Sequence, residues 1–171
     1  LGGVGGVIFA LFLFCGVFAD FLAPYGMNDT DMLRVLEAPS LAHWMGTDHI
    51  GRDVFSRILY GAQLSVIIGF LAAGLATVIS IVLGVLTGYF GGKADMLIQR
   101  FVDAWMTFPD LVVLIVVVSI VGPGVNQIVV ILGCLYGIGG SRIIRGSTIA
   151  VRENMYTHAA VSYTHLTLPT S

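Results

Sequence analysis

From Leu64 to Phe90 the chain runs without a single charged side chain. About 20 mostly apolar residues are enough to cross the hydrocarbon core of a bilayer. In that core the backbone N–H and C=O groups must be satisfied by protein, and a lone run of this length does so as a helix. This one feature makes the bilayer the solvent of the chain. Composition agrees: 57% of the 171 residues are apolar and 11% are charged, whereas soluble domains carry roughly 25% charged residues. The expected fold class is an all-α polytopic transmembrane helical bundle.

Three further runs are read as spans. Leu1–Ala23 is rich in Phe and Gly, with Asp20 near its end. Leu111–Val121 is too short alone, but a helix beginning near Met96 brings it to length. The fourth, Ile128 to about Ile144, follows the turn signal Gly122-Pro123-Gly124. Pro109 lacks an N–H and disfavours helical geometry at Phe108, so it is expected to kink or restart the third span. Arg100 and Asp103 stand at i and i+3 near the start of that span and form a candidate interfacial pair, with the arginine snorkelling to water.

The charges between the runs give a topology. Gly91–Arg100 carries Lys93 and Arg100 against Asp95, and the stretch after the fourth run carries Arg142, Arg145 and Arg152 against Glu153. Positive charge in short loops marks the cytoplasmic side. Gly91–Arg100 and Ser141–Ala160 are therefore expected inside, and the more acidic Pro24–Gly61 outside. Both assignments agree with four alternating crossings.

Chemical motifs are sparse. Gly91-Gly92-Lys93-Ala94 suggests a phosphate loop, but Thr87 stands where the first glycine belongs and Ala94 where the hydroxyl belongs. The chain itself is expected to bind no nucleotide. His43, Asp48 and His49 lack the spacing of a zinc site and read as loop residues. Cys15 and Cys134 lie in separate apolar runs and read as packing residues. No catalytic residue, metal or cofactor is expected. Gly84/Gly88 and Gly133/Gly137 have the G-x-x-x-G spacing that lets helices approach closely, without naming a partner.

The most specific pattern is His43-Trp44-Met45-Gly46-Thr47-Asp48-His49-Ile50-Gly51-Arg52-Asp53-Val54-Phe55-Ser56-Arg57, leading through Tyr60-Gly61-Ala62 to Ser65. Gly46 and Gly51 permit tight turns, and the charges between them can pair locally. Asp53 is expected to cap a short amphipathic helix of Val54, Phe55, Ile58 and Leu59 that leads into the second span. The motif residues Gly46, Thr47, Asp48, Gly51, Arg52, Asp53, Ser56 and Arg57 resemble those of permease subunits of bacterial ABC importers, closest to the C-type subunit of the dipeptide/oligopeptide/nickel branch. The resemblance continues through Gly91–Asp95, Arg100–Asp103, Phe108-Pro109, Gly122–Gly124 and Arg152–Ala160, covering most of residues 1–160.

That resemblance implies a bundle of about six spans, four of them present here in an N-terminal fragment, located in the bacterial inner membrane. It implies a second permease subunit, two cytoplasmic ATPase subunits and a periplasmic or lipid-anchored solute-binding protein as partners, alongside membrane lipid. No nucleic acid is implied. Residues 24–61 would be periplasmic, and 62–161 a partial permease core ending in a loop that docks on the ATPase. The family pattern for that loop is Tyr-x-Glu-Ala-Ala-x-x-x-Gly. Tyr156, Ala159 and Ala160 match it, His158 stands in place of the Glu, and Thr164 in place of the Gly. With Arg152 and Glu153, these form the candidate docking segment. Small residues allow close approach there, and Tyr156 can serve as an aromatic anchor. Ser162–Ser171 has neither helix period nor an apolar run and is read as a non-native tail. The alternative is an ATP-independent channel or a membrane-embedded enzyme fragment. Ser65, Thr77, Ser80 and Cys134 are the nucleophiles such an enzyme would use, and the spans holding them contain no His, Asp or Glu.

Overall fold

The computed structural model describes residues 2–153. The described elements are all helical: α1 (Gly2–Val17), α2 (Ala19–Leu22), α3 (Val54–Phe90), α4 (Gly92–Trp105), α5 (Asp110–Val121) and α6 (Val125–Arg152). The chain divides into two compact units, Leu1–Phe70 and Leu71–Ser171, with α3 beginning in the first and ending in the second.

In the first unit, α1 is apolar throughout and breaks at Phe18, after which α2 adds one turn. Gly16 sits against α3, where a Cβ would lie 2.7 Å from Val66 and 3.1 Å from the Ala62 carbonyl. One turn on, Gln63 Nε2 donates to Asp20 Oδ2 at 3.1 Å. The two contacts run in opposite chain directions, so α1–α2 is antiparallel to the start of α3. The carboxylate near the end of the first apolar run thereby gains a partner.

The expected short helix before the second span does not exist separately. Val54 to Phe90 is one continuous helix of 37 residues. Nothing between Leu59 and Leu64 breaks it. Gly61 weakens a helix by about 1 kcal/mol relative to Ala, but its carbonyl stays within the helical ladder and also accepts from Ser65 Oγ at 2.9 Å.

In the second unit, α3 and α6 lie side by side on a seam of small residues. A Cβ on Gly84 would meet Ile144 Cβ at 2.6 Å and the Ser141 carbonyl at 2.7 Å. One on Gly88 would meet Thr148 Cβ at 2.7 Å, and one on Gly137 would meet Ile79 Cβ at 2.8 Å. Gly133 faces Leu75 in the same way. Ser80 Oγ, in the middle, donates to the Gly137 carbonyl at 2.8 Å. Contact positions rise together on both helices, so α3 and α6 are parallel. That is what alternating crossings require of the second and fourth spans, and it supplies the partner that the G-x-x-x-G spacing left unnamed.

The excursion between them is α4 and α5. Gly91 and Gly92, with φ of 61° and 68°, stop α3 and start α4 in a backbone conformation that side-chain-bearing residues avoid. Met106–Pro109 then separates α4 from α5, and the two helices are bent by 83°. The expected kink at Pro109 is a full break, with Pro109 at the N-cap of α5 and its carbonyl accepting from Val112 N at 2.9 Å. Gly122–Gly124 turns α5 into α6.

Among the described residues, α3 and α6 are long and apolar enough to cross a membrane, and the bent α4–α5 pair makes a third crossing if counted as one. Four were expected. The difference is α1, whose 16-residue helix is shorter than a full span.

Candidate functional site

Two groups of polar residues stand out against the apolar helices, and they are built differently. The first lies in the first unit, ahead of α3. Asp48 is its hub. Its Oδ1 accepts from the amides of Ile50 (2.9 Å) and Arg52 (3.0 Å), and its Oδ2 accepts from Arg52 Nε (2.8 Å) and Arg57 Nη1 (2.8 Å). Burial opposes ionisation of this carboxyl, but the Arg52 and Ile50 amides and the Arg52 guanidinium outweigh it and hold the pKa far below the usual carboxylate range.

Asp53 does a second job beside it. Its Oδ2 accepts from the Ser56 amide at 2.7 Å, which is the N-cap bond of α3 expected from the sequence. Its Oδ1 lies 3.0 Å from His43 Nδ1, and both side chains are almost wholly buried. Arg34 Nη1 approaches His43 Nε2 at 3.5 Å, so the geometry suits a ring that donates from Nδ1 and accepts at Nε2. Tyr25 stacks on the imidazole at 4.9 Å, and its amide donates to Ser56 Oγ. Burial again opposes ionisation of Asp53, and the Ser56 and His43 hydrogen bonds overcome it, lowering its pKa.

The remaining motif residues close the knot. Thr47 Oγ1 accepts from the Glu37 amide at 2.9 Å and donates to the Arg34 carbonyl. Gly46 and Gly51 hold φ of 73° and 78°. A Cβ on Gly51 would collide with the Asp31 carbonyl, and one on Gly46 with that of Glu37. All eight motif residues thus converge on one folded loop. His49 takes no part in the His43–Asp53 arrangement, and among the described residues no cluster fit for a metal ion occurs. The cavity beside His43 holds about 140 Å³, below the roughly 300 Å³ at which small-molecule pockets begin. Its chemistry is that of a structural lock.

The second group ties helix ends together in the second unit. Arg145 of α6 forms a two-pronged pair with Asp95 of α4, Nε to Oδ1 and Nη2 to Oδ2, both at 2.7 Å. One turn earlier on α6, Arg142 pairs with Asp103. The expected pair Arg100–Asp103 forms at 3.9 Å with both side chains open to solvent, so it is the weaker partner of Asp103. At the end of α6, Arg152 Nη1 donates to the Tyr89 carbonyl of α3 at 2.8 Å. Glu153 closes the helix, its amide donating to the Ile149 carbonyl at 3.0 Å. Gly91–Arg100 and the C-terminal part of α6 therefore lie at the same end of this unit, as their shared excess of arginine and lysine suggested. Tyr156, His158, Ala159 and Ala160, and the tail 162–171, lie outside the described residues.

Sequence reasoning overlooked the Asp95–Arg145 and Asp103–Arg142 pairs. A signal was present: Asp95, Gln99 and Asp103 recur every four residues on α4, a polar stripe apart from Lys93 and Arg100. Gln99 Nε2 and Trp105 Nε1 are buried there without a hydrogen-bond partner among the described residues. Asn126 and Gln127 were also overlooked. They border a groove of about 380 Å³ with Val117, Val121, Val130 and Ile131.

Parallel apolar helices on a glycine seam, with a charged clasp at one end, define a polytopic helical membrane protein. Residues 80–164 match the family described as binding-protein-dependent transport system inner membrane component. The dipeptide transport system permease protein DppC of Alkalihalophilus pseudofirmus is 36% identical over 157 residues, 92% of this chain and 52% of that protein. The glutathione transport system permease protein GsiD of Pectobacterium atrosepticum is 36% identical over 158 residues, 92% and 52% of the two chains. The oligopeptide transport system permease protein OppC of Bacillus subtilis is 31% identical over 160 residues, 94% and 52%. The chain belongs to this family of inner membrane components and is similar to the C-type permease subunits of its peptide branch. It spans about half the length of the curated relatives it matches.

Proposed function

We propose that the protein carrying this sequence is a transmembrane subunit of an ATP-driven importer that moves peptides or related small solutes across the bacterial inner membrane. The observation that carries this reading is the family match over residues 80–164, which takes in the whole clasped end of α3, α4 and α6. In this reading the chain performs no chemistry. A second permease subunit completes the path, two ATPase subunits supply the energy, and an external solute-binding protein delivers the cargo.

Arg152, Glu153, Tyr156, His158, Ala159 and Ala160 would form the ATPase-docking segment. The clasp supports this role, because it braces the helix from which that segment leaves. Positive charge around the clasp favours its facing the cytoplasm. The acidic balance of residues 24–61 favours the periplasm for the knot of Asp48 and Asp53, which would brace the start of α3 where the binding protein approaches. The groove with Asn126 and Gln127 has the size and the few polar groups of a small-molecule contact, and would line part of the path.

The hydroxyls that an embedded enzyme would use are engaged otherwise. Ser65, Thr77 and Ser80 each donate to a helix carbonyl, at 2.9, 2.8 and 2.8 Å. A channel would pass solute without nucleotide. The test is uptake of radiolabelled dipeptide into proteoliposomes holding the full-length permease and its partners. Uptake is expected with ATP inside and should stop when the ATPase is disabled. Flux that continues without hydrolysis would establish the channel instead.

A further inference from the structure

We propose that the Asp95–Arg145 pair, reinforced by Asp103–Arg142, is the mechanical link that makes α4 follow the end of α6, and so carries movement of α6 to the inner end of α5. This rests on the importer reading and deepens it by naming positioning residues that join the docking helix to a second limb of the bundle.

Among the described residues, little else holds α4. Its connection to α3 is Gly91–Gly92, both at positive φ, and its connection to α5 is the 83° break at Met106–Pro109. It is jointed at both ends. Val102 is its only fully buried residue among those described, while Met96, Leu97 and Phe101 are exposed. An element so jointed has no direction of its own and takes the direction of whatever grips it.

The grip is on α6. A two-pronged arginine–carboxylate pair fixes orientation as well as distance, because two parallel N–H···O bonds resist rotation where one would not. The Asp95 side chain is 14% exposed and that of Arg145 31%, against 43% and 79% for Asp103 and Arg100. The Asp95 pair is therefore the one least weakened by solvent and salt. Asp95 and Asp103 stand two turns apart on α4, and Arg145 and Arg142 about one turn apart on α6. Two attachment points prevent α4 from swivelling about either one.

The arrangement at α3 is of another kind. Gly88 holds α3 against the backbone of Arg145, at 3.0 Å for an added Cβ, so the arginine that grips α4 leaves α6 where α6 is backed by α3. Movement imposed beyond Arg152 would meet a braced helix, pass through two guanidinium groups into α4, and turn the corner at Pro109 into α5. Hydrolysis could proceed without that link, but α4 and the inner end of α5 would not follow it; the rest of α5 packs on α6 directly.

The experiment uses the full-length permease assembled with its ATPases, second permease subunit and binding protein in proteoliposomes. It compares dipeptide taken up per ATP hydrolysed. Asp95→Asn removes the charge and one prong's strength while keeping the shape. It should leave hydrolysis close to wild type and lower uptake per ATP by about tenfold, within the range of ordinary coupling energies. The double exchange Asp95→Arg with Arg145→Asp should recover a large part of the loss. Asp95→Glu, which keeps the charge but shifts its position, should fall between the two.

An unchanged ratio in Asp95→Asn would overturn the link while leaving the importer reading intact. So would equal loss of hydrolysis and uptake without recovery in the exchange. Failure of all three variants to assemble, judged by size-exclusion chromatography, would also overturn it by making the pair a folding element. Wild-type complex that shows no ATP-driven uptake would overturn the importer reading first, and this inference with it.

Discussion

The loop ahead of α3 and the clasp at the end of α6 are both networks of aspartate and arginine, yet they are opposite in construction. In the loop, carboxylates bind backbone amides a few residues away: Asp48 takes Ile50 and Arg52, and Asp53 takes Ser56. Glycines at positive φ pin the turns between them. In the clasp, side chain meets side chain across 50 residues of sequence, and no backbone ladder joins α4 to α6. A network made of backbone is fixed once folded, whereas one made of opposed side chains on jointed helices can be loaded and released. The same two residue types therefore make a lock in one place and a linkage in the other.

The sharpest way to break the lock is Gly51→Val. Left-handed strain and collision with the Asp31 carbonyl together should cost on the order of 3 kcal/mol. Hydrogen exchange of the full-length protein in nanodiscs should show lost protection at the Leu36, Thr47 and Arg52 amides. The clasp's counterpart is Gly88→Leu, which should separate α3 from α6 at a cost of about 1–3 kcal/mol by overpacking. The thermal unfolding midpoint of the full-length protein in nanodiscs should fall in that variant; an unchanged midpoint would refute the seam.

Asp53→Ala is comparable. It removes an N-cap, at about 1 kcal/mol, and leaves the buried His43 ring without its acceptor, at about 1–3 kcal/mol more, so faster exchange should appear at Ser56 and Arg57 and also around His43. Acid titrates the same lock. Asp48 and Asp53 both have pKa values lowered in the folded loop, so the stability they add is complete above the unfolded carboxylate value of about 3.9. It is lost as pH falls through their lower folded values. Limited proteolysis of the loop should be flat from pH 8 to 5 and rise only below about pH 4. The smallest effect belongs to Arg100→Gln, which removes an exposed, long pair and should change stability by less than about 0.5 kcal/mol. An effect on stability as large as that of Arg142→Gln would erase the distinction between the two partners of Asp103.

Much of this was readable in the sequence where the cause is local. The uncharged run through α3, the cap at Asp53, the break at Pro109 and the turn at Gly122–Gly124 each depend on a few consecutive residues. The glycine spacings were readable as packing sites but not as a pair, since spacing says how close a neighbour comes and not which one arrives. The separate short helix at Val54 was misjudged because an amphipathic start and an apolar continuation do not by themselves mark a boundary. Asp95 and Arg145 were visible only as loop charges. Their relation depends on α4 folding back along α6, which no local pattern encodes.

The parallel seam between α3 and α6 has a consequence in time. Parallel neighbours cannot be joined by a short hairpin, so α3 must leave the ribosome and wait while α4, α5 and the turn at Gly122–Gly124 are made. During that interval Gly84 and Gly88 face lipid or an insertion chaperone, with no helix to fill them. The seam is thus a landing strip laid down 60 residues before its occupant is synthesised, from Gly84 to Ile144 and from Gly88 to Thr148. Order of manufacture, as much as shape, decides whether this bundle closes on itself.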